Sequence, residues 1–404
     1  MKLNLPVRLF KSLLASLVAV TTYSLSSPLF AAYTSPTSIT IPNGYSKSGV
    51  GSSDVVVQFR TNTQNRAFLC TSDIKFNKLD LSIMSTQAGS RYFTSNGVKV
   101  LRDLTFYKGR TLLFDVDEDQ SLSFKYLDAV LFDRNTCGLV SMNGAKSTCG
   151  SIFKIHEDAT LNLSNNVSLT FDGNVASHTS ISSNSTIQNT AETLGGTIFG
   201  DIDTTININF NGKVSFIGNS AYAEASADAA YPIAIARGGA ICGETINING
   251  NDSVLFSGNS ASSAYSAYAY AYGGAIYGTH ISLCNNGVIK FSGNEAIASR
   301  SSAYVSGVNE ADGGAIYVTE DGSLKINNNK SVIFNDNAIG TEDDCTISII
   351  DNDSVSILDS VIDTGADATI NITSNKTACI DSVSVEAHSS VNLIFCCISQ
   401  DKVD

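Results

Sequence analysis

The chain has no tryptophan, only five prolines in 404 residues, and only 16% charged side chains. A helical bundle needs more helix-favouring Glu, Lys and Leu than this sequence offers. A disordered chain would carry far less apolar residue than the 43% present here. Short β-branched runs set among Ser, Asn and Gly instead predict many short strands. Cys-x-x-Cys pairs and Cys/His clusters are missing, which leaves no zinc-ligand spacing. Gly-x-Ser-x-Gly, Walker-type and dinucleotide fingerprints are missing too. The net charge of −13 sets the chain against nucleic-acid partners, whose phosphates it would repel.

The first 31 residues read as a secretory signal. Lys2, Arg8 and Lys11 precede the apolar stretch Leu13 to Val20, and small residues lead to a cleavage point after Ala31 or Ala32. That stretch falls well short of the roughly 20 residues a membrane-spanning helix needs, and no later segment approaches it. Export permits disulfides among the nine cysteines. Spacing and the intervening Asn143-Gly144 favour Cys137 with Cys149. The odd number leaves a thiol over, and the adjacent Cys396 and Cys397 are candidates for bridges to another molecule. Cys242 and Cys284 fit burial as small apolar residues.

Two motifs alternate along the middle of the chain. Gly-Gly-Ala-Ile occurs at Gly238, Gly239, Ala240, Ile241, at Gly273, Gly274, Ala275, Ile276 and at Gly313, Gly314, Ala315, Ile316, after a degenerate copy at Gly195 to Ile198. Phe-x-x-Asn pairs Phe171 with Asn174, Phe216 with Asn219, Phe256 with Asn259, Phe291 with Asn294 and Phe334 with Asn337. The Phe-to-Phe intervals are 45, 40, 35 and 43 residues. Looser copies stand at Phe59, Phe93 and Phe132. Periods of this size mark a repeat architecture, and two half-units of about 20 residues suit the coils of a right-handed parallel β-helix. Ile and Phe would stack inside, Asn would bond to the Asn above and below, and Gly-Gly would allow tight turns. The expected organisation is early, irregular coils over 32–165, the regular repeat over 166–340, and terminal coils and tail over 341–404.

The segments between a Phe-x-x-Asn and the next Gly-Gly are low-complexity runs of Ala, Ser and Tyr, such as Ala221 to Ile235 and Ser260 to Tyr272. They read as loops leaving one corner of the helix. Within them Tyr265 would lie on one face and Tyr268, Tyr270 and Tyr272 on the other, as candidate contact residues.

Alternating Gly-Gly-Ala-Ile and Phe-x-x-Asn behind a signal peptide resemble the chlamydial polymorphic outer membrane proteins. The resemblance implies an autotransporter passenger on the bacterial surface, held by a C-terminal barrel and associated with adhesion to host cells. It carries adhesion onto the motif residues themselves, whereas buried Phe and turn Gly suit fold determinants first. A barrel takes about 200 residues or more. Only 67 residues follow Asn337 and the chain ends without an aromatic residue, so no barrel is expected in this sequence.

Polysaccharide-cleaving β-helices need carboxylates clustered on adjacent coils. The acidic runs Asp115 to Asp119 and Glu342 to Asp344 read as solvated turns without coil-spaced recurrence. The expected function is therefore a surface-exposed, outer-membrane-associated adhesin-like or antigenic protein that binds a host-cell component or other envelope proteins. It needs no cofactor or metal and is not an enzyme. The alternatives are a truncated passenger retained in the periplasm and a polysaccharide-degrading enzyme.

Overall fold

Each short apolar run becomes a strand, and each strand lies parallel to its counterpart in the coil before. The computed structural model describes strands at 66–69, 74–77, 91–94 and 104–107, and residues 114–394 apart from 117, 120, 143–146, 150–151, 182–187, 226–230, 301–307 and 384–388. The expected signal, the Phe59 copy, Cys70, Cys396 and Cys397 lie outside the described residues, as does the side chain of Cys149. No described residue is helical. The strands form one 25-stranded sheet and two five-stranded ones. This is a parallel β-helix.

One coil illustrates all. Ile198–Gly200, Thr205–Asn209 and Lys213–Ile217 form three sides around the core. Alternation along each strand turns Ile206, Ile208, Val214 and Phe216 inward, all fully buried. The chain then leaves the core along Ser220–Ala225 and comes back along Tyr231–Arg237. We call the outgoing and returning strands the arm.

Register fixes the coil length. Phe132, Phe171, Phe216, Phe256, Phe291 and Phe334 are successive partners. Their rings stack at 4.5–4.9 Å between centroids. A coil in this region is thus the whole Phe-to-Phe period, twice the length expected from sequence. The half-unit rhythm arose because Gly-Gly and Phe-x-x-Asn sit on different sides of one turn. The 20-residue expectation is approached beyond Phe334, which pairs with Ile357 and then Ile380 at intervals of 23 residues. Those coils have no arm. The second side can be followed through Arg66, Arg91, Leu122, Leu161, Ile206, Ile246, Ile281, Leu324, Ile347, Ile370 and Val391. These layers rise about 48 Å at the usual strand spacing of about 4.8 Å. Phe93 belongs to this side. It is Phe106 that precedes Phe132 in the Phe column.

Two columns of buried asparagine close the corners. Asn174, Asn219, Asn259 and Asn294 each accept, through Oδ1, the backbone N–H and one Nδ2–H of the preceding Asn. The other Nδ2–H of Asn174 goes to the Phe132 carbonyl, and that of Asn219 to Phe171. A second column runs through Asn166, Asn211, Asn251, Asn286, Asn329, Asn352 and Asn375 with the same bonding. Every member stands five residues before the Phe or Ile of the third side. The residue just before the Asn, not the Asn itself, takes the left-handed backbone. Gly173, Gly218, Gly258, Gly293 and Asp336 do so in the first column. That is why Gly or Asp occupies the position.

Candidate functional surface

The arms were expected to be loops. They are strands. Outgoing strands Thr136–Met142, Val175–Ile181, Ser220–Ala225, Ser260–Ser266 and Glu295–Arg300 form one five-stranded sheet. Ser147–Cys149, Gln188–Leu194, Tyr231–Arg237, Tyr268–Tyr272 and Val308–Asp312 form the other. The space between them is filled mainly by alanine, with His178, Ser180 and Asn189 buried in the early layers. Ala191, Ala223, Ala225, Ala234, Ala236 and Ala261 make a second, separate core.

Packing alanine inside puts the larger residues outside. On the returning sheet Ala234 and Ala236 are buried while Ile233, Ile235 and Arg237 face outward. In the next layer Ala269 and Ala271 are buried while Tyr268, Tyr270 and Tyr272 face outward, half-buried. Three outer columns result: Thr190, Ile233, Tyr268, Val308; then Glu192, Ile235, Tyr270, Glu310; then Leu194, Arg237, Tyr272, Asp312. The outgoing sheet presents a mixed face, with Ser177, Tyr222, Ser262 and Ile297 in its central column and Val140 and Ile181 exposed beside it. Tyr265 stands apart from the other tyrosines, 61% exposed and left-handed at φ 57°.

Where the returning sheet meets the first side, aromatic rings fill the corner. Tyr272 and Tyr317 lie 4.8 Å apart between centroids, and Tyr277 stacks on Tyr317 at 5.7 Å. The Arg237 guanidinium sits 5.4 Å above Tyr277 and pairs with Glu192. The Tyr272 hydroxyl donates to Glu310 at 2.6 Å. Burial, helped by Glu310, pushes the Tyr272 phenol above its ordinary range. Burial likewise pushes the Cys242 thiol up to about 12, so it stays protonated and unreactive.

The motif residues are spent on the fold. In each Gly-Gly the first glycine is left-handed, with Gly238 at φ 65° and Gly273 at φ 63°. A Cβ on the second, Gly239, would lie 2.0 Å from the Gly274 carbonyl oxygen. Ala240, Ala275, Ala315, Ile241, Ile276 and Ile316 are fully buried, as are the five phenylalanines. None of these side chains reaches the surface.

Two further groups could suggest chemistry. His178 lies between the arm sheets with Nε2 2.8 Å from Ser141 Oγ. Its Nδ1 lies 3.0 Å from the Glu192 backbone nitrogen and 3.3 Å from the Glu192 carbonyl oxygen, so the ring finds a backbone partner in either tautomer. Ser141 Oγ in turn donates to Ser180 Oγ at 2.9 Å, and the three side chains form a buried polar network between the sheets. The acidic turns also need correction, because they do recur. Asp119, Asp158, Asp203, Asp321, Asp344 and Asp367 are all left-handed residues, and each stands between the first and second sides of its coil. Asp is tolerated there for its backbone. Among the described residues no three metal-ligating side chains converge, and no helix is long and apolar enough to cross a membrane.

Sequence reasoning missed the second Asn column, although its constant offset from the Phe was visible. It placed Tyr268, Tyr270 and Tyr272 on one face but missed that the runs holding them fold as strands of two sheets.

Fold and surface together define a parallel β-helix with a stacked, largely alanine-cored arm. Residues 253–279 match the family model of the Chlamydia polymorphic membrane protein (Chlamydia_PMP) repeat. This repeat is similar to those of the chlamydial polymorphic membrane proteins, the family that the tetrapeptides resemble. The matched stretch runs from the third side, Ser253–Ser257, through both arm strands to the Gly-Gly return, so the family repeat contains the arm itself. No curated protein and no solved structure matches the chain.

Proposed function

We propose that the protein is surface-exposed and outer-membrane-associated, of adhesin type, and acts by binding a host-cell component or other envelope proteins and not by catalysis. The observation that carries this reading is the division of labour in the repeat. Glycine, Phe and Asn of the motifs are consumed by the core and corners, while the arm strands between them hold Ile and Tyr outward. Adhesion lost on mutating a Gly-Gly-Ala-Ile copy would then report a broken coil and not a lost contact.

Antibody labelling of intact bacteria, with an antiserum to the arm, tests location. Labelling without permeabilisation supports the reading. Labelling only after the outer membrane is broken would assign the protein to the periplasm. Beads coated with the full chain should adhere to host cells more than beads coated with an unrelated acidic protein, and equal adherence would remove the adhesin assignment.

A further inference from the structure

The arm ends before the solenoid does. Its last outgoing strand, Glu295–Arg300, pairs with Ser260–Ser266, and its last returning strand, Val308–Asp312, pairs with Tyr268–Tyr272. Among the described residues neither strand has a neighbour on its other side. The core continues past them in coils that have no arm.

Hydrogen bonding shows which groups of the outgoing strand are left over. Glu295 donates its backbone N–H to the Asn259 carbonyl, towards the preceding layer. Successive residues of a parallel strand turn their N–H and C=O to opposite edges, so Ala296 and Ala298 turn theirs to the open one. The same two residues face between the arm sheets. They are in register with Ala261 and Ser263, which are fully buried, yet are themselves only half-buried. On the returning strand Ala311, in register with buried Ala271, is exposed. A ladder of main-chain groups and a core of small residues are therefore open at one place. At the other end of the arm the residue in register with His178 is Leu139, a larger side chain and half-buried.

We propose that the edge strand Glu295–Arg300 receives an extended segment of a partner protein that carries Ala, Gly or Ser at every second position. The segment adds a layer to the outgoing sheet, with main-chain bonds to Ala296 and Ala298. Its small residues cover the half-buried alanines and continue the pattern of Ala261 and Ser263. Main-chain bonds would hold any extended chain. Selection comes from the arm core, where a branched side chain would be forced between sheets that meet there over alanine and serine. An uncovered edge of this kind is a template for pairing, and the protein's own strands show the sequence pattern that suits it. The inference rests on the binding reading above and assigns it a place and a partner chemistry.

The test uses the full chain and three labelled ten-residue peptides, with fluorescence anisotropy as the readout. One alternates Ala-Thr, one alternates Val-Thr, and the third is Ala-Thr with every backbone nitrogen methylated. The plain Ala-Thr peptide should bind at least tenfold more tightly than either of the others, since Val-Thr is branched on both faces and methylation removes the donors. Ala298→Pro deletes an N–H that the arm itself does not use, and should weaken Ala-Thr binding at least tenfold with circular dichroism unchanged. Ile297→Ser, whose side chain faces outward and whose N–H points into the arm, should leave binding within twofold. Equal binding of the methylated peptide would overturn the inference, because the contact would then not be a strand. Equal binding of Val-Thr would overturn it too, as would undiminished binding to a folded Ala298→Pro variant. The peptide series needs no variant, so it decides the matter even where the proline disturbs the arm. Adhesion is judged apart, on beads bearing the parent chain. Beads that never adhere remove the adhesin reading and leave the edge, whereas the peptide results remove the edge and leave the reading.

Discussion

The coils from Phe132 to Phe334 and those beyond Phe334 share one three-sided core, yet the first set takes 35–45 residues per turn and the second 23. The difference is the arm, and it shows what each motif is for. The second Asn column runs unbroken through both sets, from Asn166 to Asn375. The corner between the second and third sides is needed in every coil. The first column stops where arms stop, and Asn337 donates its backbone N–H to Ser360 instead. Gly-Gly occurs only where a returning strand rejoins the core. In the armless coil Ala338 follows Asn337 directly and its carbonyl accepts the Ala315 N–H, the bond that Ala275 provides to Ala240 a few coils earlier.

The sharpest way to break this comparison is to substitute the rejoining corner. Gly239→Ala places a methyl 2.0 Å from the Gly274 carbonyl oxygen and 2.5 Å from Ser260. Backbone cannot yield there without separating two coils, so a loss above about 4 kcal/mol is expected, the range reserved for severe mechanisms. Gly218→Ala is the control. Gly218 is also left-handed at φ 58°, but nothing lies within 4 Å of the added methyl, so only the backbone penalty of about 1–2 kcal/mol remains. Urea unfolding of both variants measures the gap. Equal losses would mean that close approach is not what selects the second glycine.

Next in size is the asparagine column. Asn251→Ala removes the acceptor of the Asn211 amide and the donor to Asn286, and leaves the Ile208 carbonyl without its side-chain bond. Buried polar groups left unpaired cost about 1–3 kcal/mol each. A total loss of about 3 kcal/mol is expected, read as a lower urea midpoint. A loss below about 1 kcal/mol would show that the column relaxes around a gap and does not lock the corner.

These two effects also mark how far the fold was legible from residues alone. Phe at 171, 216, 256, 291 and 334 and the paired glycines were readable because a strict repeat survives variable spacing. Coil length was misread since nothing in a one-dimensional pattern says whether two motifs lie on one turn or two. The corner aspartates were hidden by changing intervals, with only one residue of each turn constrained. The arm was least legible. Ser260 to Tyr272 looks like a loop by composition, and only the thinness of the space between the sheets explains why alanine is the buried residue. The shared face of Tyr268, Tyr270 and Tyr272 was readable from their spacing of two, whereas the Ile233 and Ile235 rows beside them follow only from the folded arm.

The third comparison is between the two faces of an arm strand. Ala269→Ile forces three extra carbons between the arm sheets and should cost about 1–3 kcal/mol by overpacking. Tyr268→Ser, one residue away but facing outward, should change stability by less than about 0.5 kcal/mol. The reverse order in a thermal melt would mean that the tyrosine row, and not alanine, holds the arm.

The smallest effect should separate the arm from the core by pH. His178 occupies the position in the arm core that Ala223 fills in the next coil. Desolvation by burial lowers its pKa below the ordinary histidine value near 6.5, outweighing the Glu192 backbone and carboxylate, which act to raise it. The folded arm therefore binds fewer protons than the unfolded chain once the pH falls towards that value. Stability from this group is complete above about pH 6.5 and declines as acid is added, until the folded-state pKa is passed and the loss levels off. A single group limits the slope to about 1.4 kcal/mol per pH unit. Amide hydrogen exchange between pH 5 and 7.5 should show the Val175–Ile181 and Gln188–Leu194 strands losing protection in acid relative to Thr205–Asn209 of the core. His178→Ala should abolish that difference while leaving the core unchanged. If the variant keeps the same acid-dependent loss, the slope belongs to carboxylates elsewhere, and the arm is no more sensitive to acid than the coils that carry it.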